Sequence, residues 1–429
     1  MMNKNTLVVG FMLFAIFFGA GNLIFPPKLG LESGTAFLPA ISGFVLTGIG
    51  LPLLGIVVSA FYEGGYKAAL NKISPYFSIA FLVAIYLAIG PFFAGPRTGA
   101  TAYEMAVVPF LGQPDSLSLF LFSSGYFAVA LWLSLNPSKM VDRIGSILTP
   151  VLILSILALV VQAYFLLSGN EPLPNPTEKA YFASGMLEGY QTMDALAALA
   201  FSVIVINAIK AKGVPPSALA KQTALAGVVA AVALAIIYTS LGWIGNHLPI
   251  SAETLADLAA KNQDVGTYIL NSVTAQAFGE LGRTLLGIIV SLACLTTTVG
   301  LAVSVSEYFH ELLPKISYRA FVILFVLISF AIANQGLTAV ISKSIPMLLI
   351  LYPIAMTVML MLALNILVKI PLVAQRLTLA IVSLISILSV LGVGFTEALP
   401  LKNYSMEWLP FAVGGVVFGS IFAKLSARK

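Results

Sequence analysis

The sequence predicts an all-α, polytopic membrane protein. It has twelve transmembrane helices, arranged as a 5+5 inverted-repeat core of two five-helix halves with two peripheral helices behind them. Three observations predict this. Of the 429 residues, 59% are hydrophobic and only 9% are charged, and the mean hydropathy is +1.00. A soluble chain carries far more charge on its surface, whereas apolar runs of membrane-spanning length recur here from end to end. The basic residues gather in alternate connections between those runs. Two runs five spans apart are interrupted midway by small and polar residues.

Apolar runs bounded by proline, glycine or charge place the spans at 6–25, 36–61, 76–108, 116–135, 143–168, 180–209, 219–245, 283–310, 318–334, 344–368, 374–394 and 407–425. The start of the chain, Lys4 followed by an apolar run and small residues, has the outline of a signal peptide. Spanning continues beyond it, however, and no large domain in need of export follows. With the N-terminus inside, fifteen basic residues fall on the cytoplasmic side: Lys4, Lys67, Lys72, Lys139, Arg143, Lys210, Lys212, Lys221, Lys315, Arg319, Lys369, Arg376, Lys424, Arg428 and Lys429. Five fall outside, namely Lys28, Lys179, Lys261, Arg283 and Lys402, while Arg97 and Lys343 lie in or near spans. That bias fits an even number of spans with both termini cytoplasmic. The net charge of +5 therefore reports orientation, and no nucleic-acid or obligate protein partner is expected. The single cysteine, Cys294, excludes an intramolecular disulfide and is expected to serve packing; with two distant histidines, His247 and His310, it makes no metal cluster. The long connection 246–282 is expected outside, as short helices over an opening or as a plain surface loop.

The first span carries "GAGNLIFPP", Gly19 to Pro27. A helix rises about 1.5 Å per residue through a hydrocarbon core of about 30 Å. Gly19, Ala20, Gly21 and Asn22 therefore fall near mid-membrane. Unwound backbone there survives only if it lines a cavity or binds something; the alternative is a tight helix crossing between small residues. The sixth span carries "EGYQTMD", with Glu188, Gly189, Tyr190, Gln191, Thr192 and Asp194 inside an apolar region. Charges in a span are costly and face a cavity or a partner. Two interrupted helices at matching places in two five-helix halves are the mark of an inverted-repeat transporter. Five spans per half force the halves into opposite orientation, with repeats at 6–168 and 180–368 in a single domain and the peripheral helices at 374–425.

In the eighth span, Thr296, Thr297 and Thr298 are consecutive. Hydroxyls and carbonyls suit a hard monovalent cation such as sodium, although threonines also bond back to the preceding helical turn. Arg97 and Glu104 are seven apart on one helix side. They are expected to form a gate or structural pair, to line an outer vestibule, or to sit near the outer end. Glu307 and His310 are expected at an interfacial end, and Lys343 at the outer surface. An embedded enzyme has no support, because no recognised hydrolase, metalloprotease or nucleotide motif is present. A channel would need a continuous polar pathway, which runs such as "VGLAVSV" do not offer.

Three stretches carry a resemblance: "GFMLFAIFFGAGNLIFPPKLGLESG" (Gly10 to Gly34), "EGYQTMDALAALAFSVIVINAI" (Glu188 to Ile209) and "CLTTTVGL" (Cys294 to Leu301). Over essentially the whole chain they resemble the bacterial branched-chain amino acid:cation symporters, the BrnQ-type carriers. The resemblance implies uptake of leucine, isoleucine and valine, with Na+ as the coupling ion, across the bacterial cytoplasmic (inner) membrane and in contact with its lipid. A more distant likeness is to the neurotransmitter:sodium symporters and their LeuT-like fold, in whose first helix Gly19, Gly21, Asn22, Phe25 and Pro26 find counterparts. Carried over by position, that likeness implies a substrate carboxylate at the backbone amides of the first break. It also implies a sodium ion held by the carbonyls of Ala15, Phe18 and Ala293 and the hydroxyls of Thr296 and Thr297. The interval from Asn22 to Phe25 is one residue shorter than in that family and lacks its arginine, so the family's outer gate is not reproduced. For the ammonium, the carbonyls from Glu188 to Gln191 and the carboxylates of Glu188 and Asp194 are candidates. The side-chain pocket is expected to be apolar, with no further charge beside the breaks. Proton-coupled transport of another small solute, using Asp194 and Glu188 as a relay, is the alternative.

Overall fold

Long apolar runs, rich in Leu, Ala, Ile and Val, form helices almost throughout, because backbone groups in a membrane must be satisfied within the helix. The computed structural model describes residues 4–111, 114–135, 139–172, 174, 180–211 and 214–426, and among these there is no strand. Lys179, Lys212, Arg428 and Lys429 lie outside the described residues. In chain order the helices are α1 (Lys4–Phe17), α2 (Ala20–Ser33), α3 (Phe37–Val45), α4 (Leu51–Ser59), α5 (Gly65–Ile73), α6 (Pro75–Leu87), α7 (Ala94–Ala106), α8 (Ser116–Leu135) and α9 (Lys139–Leu167). There follow α10 (Tyr181–Gln191), α11 (Asp194–Ala211), α12 (Leu219–His247), α13 (Ala252–Ala260), α14 (Val265–Leu312), α15 (Tyr318–Ala333), α16 (Leu337–Leu367), α17 (Leu372–Val390) and α18 (Trp408–Ser426). Nine helical stretches among the described residues are long and apolar enough to cross a membrane, and α15 is a shorter apolar helix. The chain is therefore a multi-pass membrane protein.

Both expected interruptions are present, but shifted. The first helix stops at Phe17 and resumes at Ala20, so Ala20, Gly21 and Asn22 are wound into the first turn of α2 rather than left open. Gly19 takes the extended N-cap conformation, and Pro26 and Pro27 lie inside the helix. The sixth-span break falls at Thr192 and Met193, and Met193 is a buried non-glycine residue at φ 64°. Glu188, Gly189, Tyr190 and Gln191 form the last turn of α10, and Asp194 opens α11. A third disruption was not anticipated: between α6 and α7 the backbone opens into a wide turn with Gly90 far from helical geometry (φ −89°, ψ −105°). The connection 246–282 contains α13 and the first part of α14, which bends at Gly279 (φ 67°) before its membrane-length portion.

Glycines let the broken helices approach their neighbours backbone to backbone. A methyl group at Gly30 of α2 would stand 1.8 Å from the Gly242 carbonyl of α12, and one at Gly245 would stand 1.9 Å from the Pro27 carbonyl. On the other side, a methyl at Gly185 of α10 would stand 1.8 Å from the Ala40 carbonyl of α3, and one at Gly43 would stand 2.0 Å from the Phe182 carbonyl. Hydrogen bonds seal both crossings. Asn246 donates to the carbonyls of Gly30 (2.9 Å) and Gly34 (2.8 Å), and Thr47 donates to that of Met186 (2.9 Å). Thus α1 and α2 pack along α12, while α10 and α11 pack along α3 and α4; α7 packs against α14, and α8 against α15.

Candidate functional site

The two breaks meet. Asn22, in the first turn of α2, donates to Asp194 Oδ2 at 2.5 Å, and its amide also bonds the Tyr238 hydroxyl. Both Asn22 and Asp194 are buried. Asp194 stands at the N-terminus of α11, where the helix dipole favours a negative charge, and its own N–H donates to Thr192 Oγ1 (3.3 Å). Tyr238 of α12 closes the inner wall, stacked near Phe18 with ring centroids 6.4 Å apart.

Arg97 corrects the expectation that no further charge stands beside the breaks. It is 4% exposed, and its guanidinium lies over the Phe25 ring with Cζ 5.2 Å from the centroid. Its Nη1 donates to the Gln191 carbonyl and its Nη2 to the Thr192 carbonyl (3.2 Å), so it caps the C-terminal end of α10. The Gln191 carbonyl, expected to be open to an ammonium, is therefore already engaged. Nor do Arg97 and Glu104 share a partner. Glu104 Oε2 accepts from Thr267 Oγ1 (2.6 Å) and from the Asp264 N–H (3.0 Å), tying α7 to the start of α14.

The remaining residues singled out from the sequence divide by position. Glu188 accepts from Lys28 at 3.1 Å and so forms an ion pair between α10 and α2. The Tyr190 hydroxyl donates to Met356 Sδ (3.2 Å), and its ring stacks on Tyr352 of α16 at 4.3 Å. The Gly189 carbonyl accepts from Thr192 Oγ1 at 2.9 Å. Gly19, Ala20 and Gly21 supply the cap and first-turn amides of α2; the Gly19 N–H already donates to the Phe17 carbonyl (3.0 Å), while those of Ala20 and Gly21 are groups that a helix cannot satisfy internally. Gln191 is buried with its side-chain oxygen unpartnered, and it lines a cavity of about 280 Å³ together with Leu29, Glu188, Tyr190 and Leu348.

On α14 the threonines separate. Thr296 and Thr297 both donate to the Ala293 carbonyl, at 2.8 and 3.0 Å, while Thr298 donates to Cys294 (2.9 Å) and joins Thr98 Oγ1 (2.5 Å) and the Tyr126 hydroxyl (2.8 Å). Ala293, Thr296 and Thr297 therefore present three oxygens at one place. Both bonds run back to the preceding helical turn, the alternative that the sequence left open, and they engage the Ala293 carbonyl twice while the two hydroxyls keep lone pairs free to accept. Ala15 lies in the last turn of α1 and Phe18 in the break, so the expected set draws on both α1 and α14. Cys294 is buried among core residues. Sequence reasoning missed Tyr238 and the placement of Arg97. For Arg97 there was a signal: "IGPFFAGPRTG", Ile89 to Gly99, carries three glycines and two prolines, more than either recognised break.

A family model described as branched-chain amino acid transport protein matches residues 2–426. A Staphylococcus aureus (strain USA300) protein, provisionally named a branched-chain amino acid carrier, is 53% identical over 439 residues, covering 99% of this chain and 98% of its own. Its counterpart in Staphylococcus haemolyticus (strain JCSC1435) is 53% identical over 435 residues, covering 99% and 97%. Among solved structures, Mhp1, a nucleobase-cation-symport-1 family transporter, matches at TM-score 0.59 and 12% identity, over 99% of this chain and 92% of its own. MhsT in complex with L-phenylalanine matches at TM-score 0.56 and 17% identity, over 96% and 97%. These two establish likeness of fold.

Proposed function

The chain belongs to the branched-chain amino acid transport family, and we propose that it carries leucine, isoleucine and valine into the bacterial cytoplasm together with sodium by alternating access. The observation that carries this reading is the buried Asn22–Asp194 contact, which joins two helix breaks 172 residues apart in sequence. The contact joins the amide ends of α2 and α11, both of which favour an anion, so a cation is held there only by the carboxylate of Asp194 itself. The substrate carboxylate is assigned to the amides of Ala20 and Gly21, with Gly19, whose own N–H is bonded to the Phe17 carbonyl, leaving room for close approach. Its ammonium is assigned to Asp194 beside Gln191, because Glu188 is engaged by Lys28 and the Gln191 carbonyl by Arg97. Sodium is assigned to Ala15, Phe18, Ala293, Thr296 and Thr297.

The packing supports a 5+5 repeat of twelve spans, with repeats at 6–168 and 180–368 and both termini cytoplasmic. The first span lies along the second span of the other half, and the sixth lies along the second; third packs on eighth, and fourth on ninth. Each such pairing is what a pseudo-two-fold axis in the membrane plane would generate. The test is uptake of radiolabelled leucine into proteoliposomes under an imposed sodium or proton gradient. Sodium should drive uptake, isoleucine and valine should compete, and lysine and aspartate should not, since each would bury an unpaired charge. Full uptake driven by a proton gradient without sodium would refute the coupling, and strong inhibition by aspartate would refute the substrate class.

A further inference from the structure

Around the breaks, the buried polar atoms without a partner include one donor, Arg97 Nε, and the acceptors Gln191 Oε1 and Glu188 Oε2, the last on a carboxylate whose other oxygen is bound by Lys28. Arg97 uses its two terminal nitrogens on the carbonyls that end α10, which leaves the Nε edge of the guanidinium free. The same guanidinium lies beside the amide end of α2, since a methyl at Gly21 would stand 2.9 Å from Nη2 and 3.0 Å from Cζ. A buried guanidinium N–H without an acceptor is costly, and planar carboxylates match its fork.

We propose that Arg97 is a substrate-binding residue that receives the carboxylate of the transported amino acid on its Nε edge, jointly with the first-turn amides of α2. This rests on the assignment of the substrate to the paired breaks and adds the residue that selects for the carboxylate. The charges then balance. Arg97 and Asp194 contribute one of each sign, and a zwitterion adds one of each sign in the complementary order. Its carboxylate meets Arg97, and its ammonium meets Asp194 and the free oxygen of Gln191. An amine without a carboxylate leaves the Nε edge unpartnered. Aspartate brings a second negative charge with no second cation beside it. Arg97 thus makes the site selective for amino acids over the corresponding amines, while the apolar part of the pocket chooses among side chains.

The test compares leucine with 3-methylbutylamine, which is leucine without its carboxylate, as competitors for labelled-leucine binding to purified protein in detergent with sodium. The wild type should prefer leucine strongly. Arg97→Gln should weaken leucine about 10- to 100-fold, the loss expected for one charged hydrogen-bonding partner, while leaving the amine's affinity within a few-fold, so that the preference collapses. Arg97→Lys keeps the charge without the fork and should fall between; it also serves where removal of the charge disturbs folding, followed by sodium-dependent thermal stabilisation. Loss of leucine and amine affinity by one common factor in both variants would overturn the role of Arg97 and leave a purely structural one. A wild type that bound leucine and amine alike would instead overturn the assignment of the substrate to the breaks.

Discussion

Gly19 and Gly21 belong to one motif, two residues apart, yet replacement by alanine should have opposite consequences. Gly21 lies inside α2, where alanine favours the helix over glycine by about 1 kcal/mol, so any loss must come from contact. The new methyl would stand 2.9 Å from both Phe25 Cε2 and Arg97 Nη2. Carbon–carbon contacts settle at about 3.5–4.0 Å, so both neighbours must give by roughly half an ångström or more. Phe25 is fully buried and Arg97 is pinned by two carbonyls. Phe25 must yield within the core, and shifting Arg97 as well weakens a hydrogen bond to a charged group, at about 1.5–3 kcal/mol. That corresponds to a loss of about 10- to 100-fold in apparent leucine affinity, with the protein still inserted and folded. At Gly19 the backbone is extended (φ −102°, ψ −175°), and the nearest atom to a new methyl is Asn22 Oδ1 at 3.8 Å. Gly19→Ala should stay within about threefold of wild type, as an uncrowded substitution does. Sodium-driven leucine uptake in proteoliposomes, normalised to inserted protein, reads both. Equal losses at the two positions would show that backbone freedom, not the Arg97 contact, governs the motif; an unaffected Gly21→Ala would refute the crowding.

Thr297→Ala should raise the sodium concentration needed for half-maximal uptake, whereas Thr298→Ala, which removes a buried hydroxyl bonded to Thr98 and Tyr126, should cost about 1–2 kcal/mol of stability with the sodium dependence unchanged; matching sodium curves for the two variants would count against the cation assignment. Gly185→Ala would place a methyl 1.8 Å from the Ala40 carbonyl and should destabilise the protein by about 3 kcal/mol or more, read as a lowered melting temperature that sodium does not restore. In a protein whose Cys294 has been replaced, single cysteines at positions 257 and 139 should label from opposite sides of the membrane; labelling from the same side would refute an odd number of crossings between them.

The spans that stand alone were the most legible. The start at Ser116 agrees to the residue, because proline and aspartate before it interrupt an otherwise uniform apolar run. The breaks were legible in kind but not in register. Four small or polar residues, Gly19 to Asn22, all tolerate unwinding, and nothing local says that Gly19 caps the helix while the next three wind into it. The same limit applied to Glu188–Asp194, where the turn settles at Thr192 and Met193.

Side-chain partnerships across the fold were the least legible, for reasons of geometry. Arg97 and Glu104 share a helix side, but seven residues at about 1.5 Å each put them about 10 Å apart along the axis, where different neighbours compete for them. The winners, Gln191 and Thr192 for Arg97 and Asp264 and Thr267 for Glu104, lie 94 to 163 residues away in sequence. Three consecutive threonines cannot all face one partner either, because successive helical residues turn by about 100°. Thr296 and Thr297 share the Ala293 carbonyl, while Thr298 is carried round to Thr98 and Tyr126. Asn22 shows both sides of the limit. Its place in a broken helix is visible in the sequence, but its chemistry depends on Asp194 and Tyr238, which only the packing of α2 against α11 and α12 brings within reach. A polar residue in a membrane span therefore announces that a partner is needed, and the identity of that partner is a property of the closed fold.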